Sequence, residues 1–142
     1  MPGIVVGIDG SRSGQQALEW AVRHAATEHA PLTVLTVHPV ARSAWTGAPI
    51  KYPAEDRPEE EKARQAVQET VSKTISELGV RPEVVVRVVS DLPARALIEA
   101  SGDADLIVVG SRGHGGFAGL PMGSVSSQVV GHASCPVVVV RH

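Results

Sequence analysis

A glycine-rich segment late in the chain has the composition of a phosphate-binding loop. Five glycines lie from Gly110 to Gly119, and Gly123 and Ser124 lie at the start of a segment with helical spacing. Many glycines destabilise a loop that only connects two elements, whereas a backbone without Cβ atoms can approach a ligand closely. The first N–H groups of a helix lack backbone acceptors and favour phosphate. Residues 110–124 therefore predict an anion site at a helix entrance.

Two other phosphate-binding patterns are absent from the sequence. No GxxxxGK[ST] segment occurs, and Lys51, Lys62 and Lys73 all lie far from the glycine-rich segment in the sequence. The turn between Gly7 and Gly14 does not have the GxGxxG spacing of dinucleotide-binding folds. We therefore expect neither a Walker-type loop nor a dinucleotide cofactor.

Apolar runs bounded by breaker residues predict the strands that must position this segment. They are Ile4–Ile8, Leu32–Val37, Val84–Val89, Leu106–Val109 and Val137–Val140. The runs do not alternate between apolar and polar residues, which is typical of strands covered on both faces.

Segments with helical spacing lie between these runs. The first carries an apolar stripe from Ala17 to Ala25 and follows a Ser13/Gln16 pair that resembles a capping box. The other helices are predicted over Pro58–Leu78, over Asp91–Ser101 and from Ser124 to before Pro136. Residues 38–57 show no periodicity and are predicted to form a long loop, with His38 near its start.

The alternation of strands and helices predicts an α/β fold with a doubly wound parallel sheet and helices on both of its faces. A length of 142 residues is sufficient for one hydrophobic core and small for two. We therefore expect residues 1–142 to form a single domain.

Composition and charge disfavour several classes of partner. The formal net charge is -2, with 13 Lys and Arg against 15 Asp and Glu, so no strong field attracts nucleic acid or an anionic membrane. The first apolar run is too short for a signal peptide or a membrane span, which makes the cytoplasm the expected compartment. Cys135 is the single cysteine and is predicted to be a small buried residue at the start of a strand.

The spacing of the glycine-rich segment resembles that of a known family. It follows the pattern G-2x-G-9x-G-[ST], carried by Gly110, Gly113, Gly123 and Ser124. This pattern is similar to the nucleotide signature of the ATP-binding branch of the universal stress proteins. The segments IVVGIDGS at 4–11 and CPVVVV at 135–140 resemble the two ends of the same family, so the resemblance covers essentially the whole chain.

The resemblance implies a strand order of 3-2-1-4-5 and an ATP site between the first and fourth strands. It implies contacts to the nucleotide from Gly7, Asp9, Val37, Val109, Gly110, Arg112, Gly113, Gly123, Ser124, Val125 and Ser126. Asp9 would lie near the ribose and phosphates and help hold a Mg²⁺ ion, or would only shape its turn. Val37 would meet the adenine through its backbone. Arg112 would bind phosphate or remain solvated, and His114 is a weaker candidate.

The last strand, Val137–Val140, is an edge strand in the implied order. It carries no charge or proline that would discourage pairing with another strand. The resemblance implies a homodimer formed through this edge, and coverage by the chain's own loop is the alternative.

Three functions are consistent with these features. The first is an ATP-binding regulatory module, because no Ser/His/Asp set or pair of carboxylates can be placed beside the phosphates. The second is a slow ATPase or phosphotransfer enzyme that uses Asp9 and a metal ion. The third is a dimeric interaction protein that binds AMP, cyclic AMP or no nucleotide.

Overall fold

The computed structural model describes residues 2–39, 57–112 and 122–141. The elements are β1 (Ile4–Ile8), α1 (Arg12–Glu28), β2 (Leu32–Pro39), α2 (Arg57–Leu78), β3 (Val84–Asp91), α3 (Pro93–Ala100), β4 (Leu106–Gly110), α4 (Ser124–His132) and β5 (Val137–Val140). Every predicted strand and helix is present, and the main differences are at the ends of elements.

The strands form one parallel sheet in the order β3-β2-β1-β4-β5. Helices α1 and α2 pack on one face through residues such as Leu18 and Val71. Helices α3 and α4 cover the other face through residues such as Leu97 and Val129. The predicted α/β fold with a doubly wound sheet is thus confirmed, and its interior consists of the small and aliphatic side chains that the composition indicates.

Strands β2 and β3 are each two residues longer than predicted. They remain paired up to Pro39 and Asp91, which lie opposite each other in the register. Since Asp91 belongs to β3, helix α3 begins at Pro93 rather than at Asp91. The loop predicted over 38–57 is shorter by its first two residues and its last one, and residues 40–56 lie outside the described ranges.

The predicted start of α1 is wrong. Ser11 is the N-cap, and its Oγ accepts a hydrogen bond from the Gly14 N–H at 3.1 Å. Ser13 lies within the first turn and is buried, so it does not pair with Gln16 as a capping box. The Ser-x-x-Gln pattern is therefore present in the sequence without acting as a cap.

Coverage of both sheet faces holds for the inner strands but is wrong for β3. Val85 is 56% exposed, and exposure alternates along the strand because α2 covers only one of its faces. The aliphatic composition of β3 therefore does not imply full burial.

None of the helices in the described ranges is long and apolar enough to cross a membrane.

Candidate phosphate-binding site

The direction of winding reverses between β1 and β4, which are direct neighbours with Val6 opposite Val108. The chain leaves β1 for α1 on one face of the sheet and leaves β4 for α4 on the other face. In open parallel sheets, ligands bind beyond the carboxyl ends of the two strands at such a point. The topology therefore brings the turn after β1 and the glycine-rich segment after β4 to one crevice.

The turn after β1 is shaped by Asp9. Its Oδ1 accepts a hydrogen bond from the Ser11 N–H at 2.9 Å. Gly10, between these two residues, has a φ of 82°, a conformation that favours glycine. The turn-forming role that the sequence suggested for Asp9 is therefore present, and its contact with a nucleotide stays a prediction.

Gly110 allows the first turn of α1 to lie directly against the end of β4. A Cβ atom at Gly110 would lie 2.6 Å from the Ser13 carbonyl oxygen and closer still to the Ser13 hydroxyl. The need for glycine here is explained by helix packing, whereas the sequence suggested close approach to a ligand. Contact between the Gly110 backbone and a nucleotide remains a prediction.

Ser13 is a residue of the crevice that sequence reasoning missed. Its side chain is buried, with 5% of the residue exposed, and its Oγ accepts a hydrogen bond from the Arg112 N–H at 3.1 Å. This bond joins α1 to the start of the glycine-rich segment across 99 positions of sequence. No motif in the sequence signals it, because it depends on the helix crossing over β4.

The two ends of the glycine-rich segment are held together at the entrance of α4. The Gly123 N–H donates to the Ser111 carbonyl at 2.6 Å, and the Ser111 N–H donates to the Val140 carbonyl at 3.0 Å. The buried Ser126 hydroxyl lies 3.1 Å from the Ser111 and Gly123 carbonyl oxygens and donates to them. The side chain of Ser126 thus stabilises the two ends of the glycine-rich segment.

Gly123 is the N-cap of α4, with φ −75° and ψ 169°. This backbone is available to any residue, so a left-handed turn does not explain the glycine. Ser124 is the first helical residue, and its side chain makes no capping bond.

The first turn of α4 presents backbone donors at the crevice. The first bond of the helix runs from the Ser127 N–H to the Gly123 carbonyl at 3.0 Å. The N–H groups of Ser124, Val125 and Ser126 precede it and have no acceptor within the described ranges. Such donors, at the positive end of the helix dipole, favour a phosphate group.

The apolar residues predicted at the site direct their side chains into the core. Val109 is buried, and Val37 and Val125 are partly buried in the cluster beneath α3 and α4. A Cβ atom at Gly7 would lie 2.9 Å from the methyl carbons of Leu97, so glycine is required there by packing. These residues would therefore meet a ligand mainly through backbone atoms.

Two predicted site residues lie at or beyond the limit of the described residues. Gly113 lies outside the described residues, together with His114. Arg112 ends the described part of β4's loop and is half-buried.

No group of three or more His, Cys, Asp or Glu side chains in the described ranges is arranged to hold a metal ion. Asp9 alone would offer Mg²⁺ few protein ligands, and phosphate oxygens and water would have to supply the rest.

The Cys135 thiol lies away from the crevice, near the amino end of β5, and is partly rather than fully buried. Burial raises the pKa of this thiol. Cys135 takes no part in the chemistry of the crevice.

Comparison with known proteins places this geometry in a family. A model of the "Universal stress protein family" matches residues 2–141. A universal stress protein of Mycobacterium tuberculosis is 36% identical over 142 residues, covering 98% of this chain and 48% of that protein. A second, from Mycolicibacterium smegmatis, is 34% identical over 141 residues with the same coverage. The chain spans about half the length of the curated relatives it matches.

Solved structures with similar folds cover almost the whole chain. Universal stress protein UspA from Lactobacillus plantarum has a TM-score of 0.73 and 25% identity, covering 97% of this chain and 96% of its own. A universal stress protein crystallised in complex with cAMP has a TM-score of 0.67 and 28% identity, covering 96% and 94%.

Proposed function

The chain belongs to the universal stress protein family, and on that premise we propose that it binds an adenine nucleotide, with ATP as the ligand, between β1 and β4. Nucleotide occupancy at this site would regulate a homodimer in the stress response.

The observation that carries this proposal is the pair of helix entrances at one crevice. The amides of Ser124 to Ser126 begin α4 on one side, and the turn from Asp9 to Ser11 begins α1 on the other. Ser13 and Gly110 hold the two sides at a fixed separation. A preorganised set of amide donors binds an anion without the cost of ordering them first.

The adenine part of the proposal is supported by the solved structure of a relative. The protein crystallised with cAMP is 28% identical to this chain over nearly its full length. For ATP, the additional phosphates would extend along the entrance of α4, where the helix dipole offsets their charge. Mg²⁺ would be held mainly by these phosphates, with Asp9 as the nearby carboxylate.

The homodimer part rests on the position of β5. This strand is at the edge of the sheet and consists of four valines, all half-buried. Pairing with the same strand of a second copy would satisfy its outer backbone groups and cover these side chains.

Two glycine variants, one at the N-cap of α4 and one within the helix, test the site by isothermal titration calorimetry with ATP, AMP and cAMP. Gly123→Val places a branched side chain at the helix entrance in a backbone conformation that valine adopts readily, and we expect nucleotide binding to be lost. Gly131→Ala is the control, since its Cβ meets no atom within 4 Å, and it should bind as the wild type does.

Circular dichroism of both variants confirms that the fold is retained. Binding of ATP to Gly123→Val with wild-type affinity would place the nucleotide elsewhere. Tighter binding of AMP or cAMP than of ATP would keep the site but change the ligand.

A further inference from the structure

Strand β3 forms the second edge of the sheet, opposite β5. Its sequence VVVRVVSD contains five valines and one cation, and Val85 is 56% exposed. A β-branched edge strand of this composition readily adds a further strand from another molecule. The fold therefore requires something that prevents such addition.

The register identifies the backbone groups that face outward from β3. The Leu32 N–H of β2 donates to the Glu83 carbonyl at 2.8 Å, so odd-numbered positions bond to β2. Since backbone groups alternate sides along a strand, the even-numbered residues from Val84 to Ser90 direct their N–H and C=O groups to the outer edge.

Helix α2 occupies part of this outer edge with side chains. Arg64 Nη1 donates to the Val86 carbonyl at 3.0 Å, in the middle of the row. Arg64 Nε also lies 3.8 Å from Glu61 Oε2 on the same helix, which restrains the guanidinium. Near the end of the strand, the Ser90 hydroxyl donates to Glu60 Oε1.

We propose that Arg64 closes the β3 edge against strand addition by a second copy of this chain. A strand that added to β3 would need the Val86 carbonyl as an acceptor, and it would have to displace the guanidinium from it. Glu60 gives a second, weaker restraint at Ser90.

Within the part of the chain that the structure describes, the β5 edge has no equivalent contact. The Ile107 N–H donates to the Pro136 carbonyl and the Ser111 N–H to the Val140 carbonyl. The backbone groups of Val137 and Val139 consequently face outward, and no side chain of the described residues bonds to them. Among the described residues the two edges therefore differ: Arg64 of α2 bonds to the outer backbone of β3, and no side chain bonds to the outer backbone of β5.

The test is Arg64→Met, which keeps an unbranched apolar side chain and removes the guanidinium. Multi-angle light scattering after gel filtration, over a range of concentrations, should show a shift to higher mass than the wild type. Lys62→Ala is the matched control. Lys62 lies on the same helix in a comparable pair, 3.5 Å from Glu59, and its loss makes the same change in net charge without touching β3. We expect its mass to equal that of the wild type.

A second variant separates edge pairing from general unfolding. Arg64→Met combined with Val85→Lys puts a charge on the exposed face of β3, and we expect it to restore the wild-type mass. The proposal is overturned if Arg64→Met keeps the wild-type mass, or if Lys62→Ala associates to the same extent. It is also overturned if the double variant still associates, because association would then arise from loss of folding rather than from the edge.

Discussion

Ser13 connects the two strand ends that form the crevice. Its buried hydroxyl accepts the Arg112 N–H, and its backbone fills the space that a side chain at Gly110 would need. Two contacts of one residue thus determine how far α1 lies from the start of the glycine-rich segment. A small residue with one acceptor is required at this position, which serine satisfies and alanine does not.

Ser13→Ala should lower both stability and nucleotide affinity. The Arg112 N–H would lose its acceptor in a partly buried place, a change that costs about 1–3 kcal/mol. Urea unfolding measures the change in stability, and calorimetric titration with ATP measures the change in affinity. Ser76→Ala, at an exposed position of α2, is the control. A loss of stability with unchanged affinity would show that Ser13 supports the fold without positioning the site.

At the residue scale, the sequence indicated which residue types form the crevice better than it indicated what each residue contacts. The family resemblance implied nucleotide contacts for Gly7 and Gly110, yet packing against Leu97 and Ser13 already requires glycine at these two positions. Likewise, the Ser126 side chain bonds to backbone carbonyls of the loop ends. Such roles depend on contacts between residues far apart in the sequence, which no local spacing reveals.

At the element scale, helices α1 and α2 end differently although both use a left-handed residue. His29 has a φ of 52° and Gly79 a φ of 67°. Left-handed backbone is unfavourable for residues with a Cβ atom and costs glycine little. Helix α1 therefore ends at some cost in stability, and α2 does not.

Exchange of residue types at these two ends should change stability in opposite directions. His29→Gly should stabilise the protein by about 1 kcal/mol, and Gly79→Ala should destabilise it by about the same amount. A Cβ at Gly79 meets no atom within 4 Å, so no steric clash adds to the backbone strain. Thermal unfolding measures the stability of both variants. Destabilisation by His29→Gly would contradict the inference that left-handed His29 costs α1 stability.

The elements themselves were predicted well because breakers bound each apolar run. Errors arose where tertiary contacts override a local pattern. The Ser13/Gln16 pair matched a capping box, but the N-cap lies two residues before Ser13, at Ser11. The apolar composition of β3 indicated burial on both faces, but its position at the sheet edge leaves Val85 exposed.

At the scale of the whole molecule, the parallel sheet and its two helical layers follow from the alternation of elements. The strand order was implied by the family resemblance rather than by any single segment, since several orders are compatible with the same alternation. The observed order 3-2-1-4-5 brings β1 beside β4 and leaves β5 at an edge. Both proposed properties, nucleotide binding and dimer formation, depend on that order.

Val139→Pro tests the proposed dimer edge. The Val139 N–H faces outward, because Pro136 and Val140 bond to β4, so proline there should prevent strand pairing while the bonds to β4 remain. Sedimentation equilibrium should show a monomer. Val139→Ala shortens the same side chain and keeps the N–H, and it should remain dimeric; a dimeric proline variant would rule out pairing through β5.

In the proposed function, backbone amides at the entrance of α4 bind the phosphates of an adenine nucleotide. Titration of ¹⁵N-labelled protein with ATP, followed by amide chemical shifts, tests it directly. We expect the largest changes at Ser124, Val125 and Ser126, with little change on α2 between Gln65 and Ser72. Saturable changes confined to residues away from the ends of β1 and β4, or no change at the α4 amides, would contradict the claim.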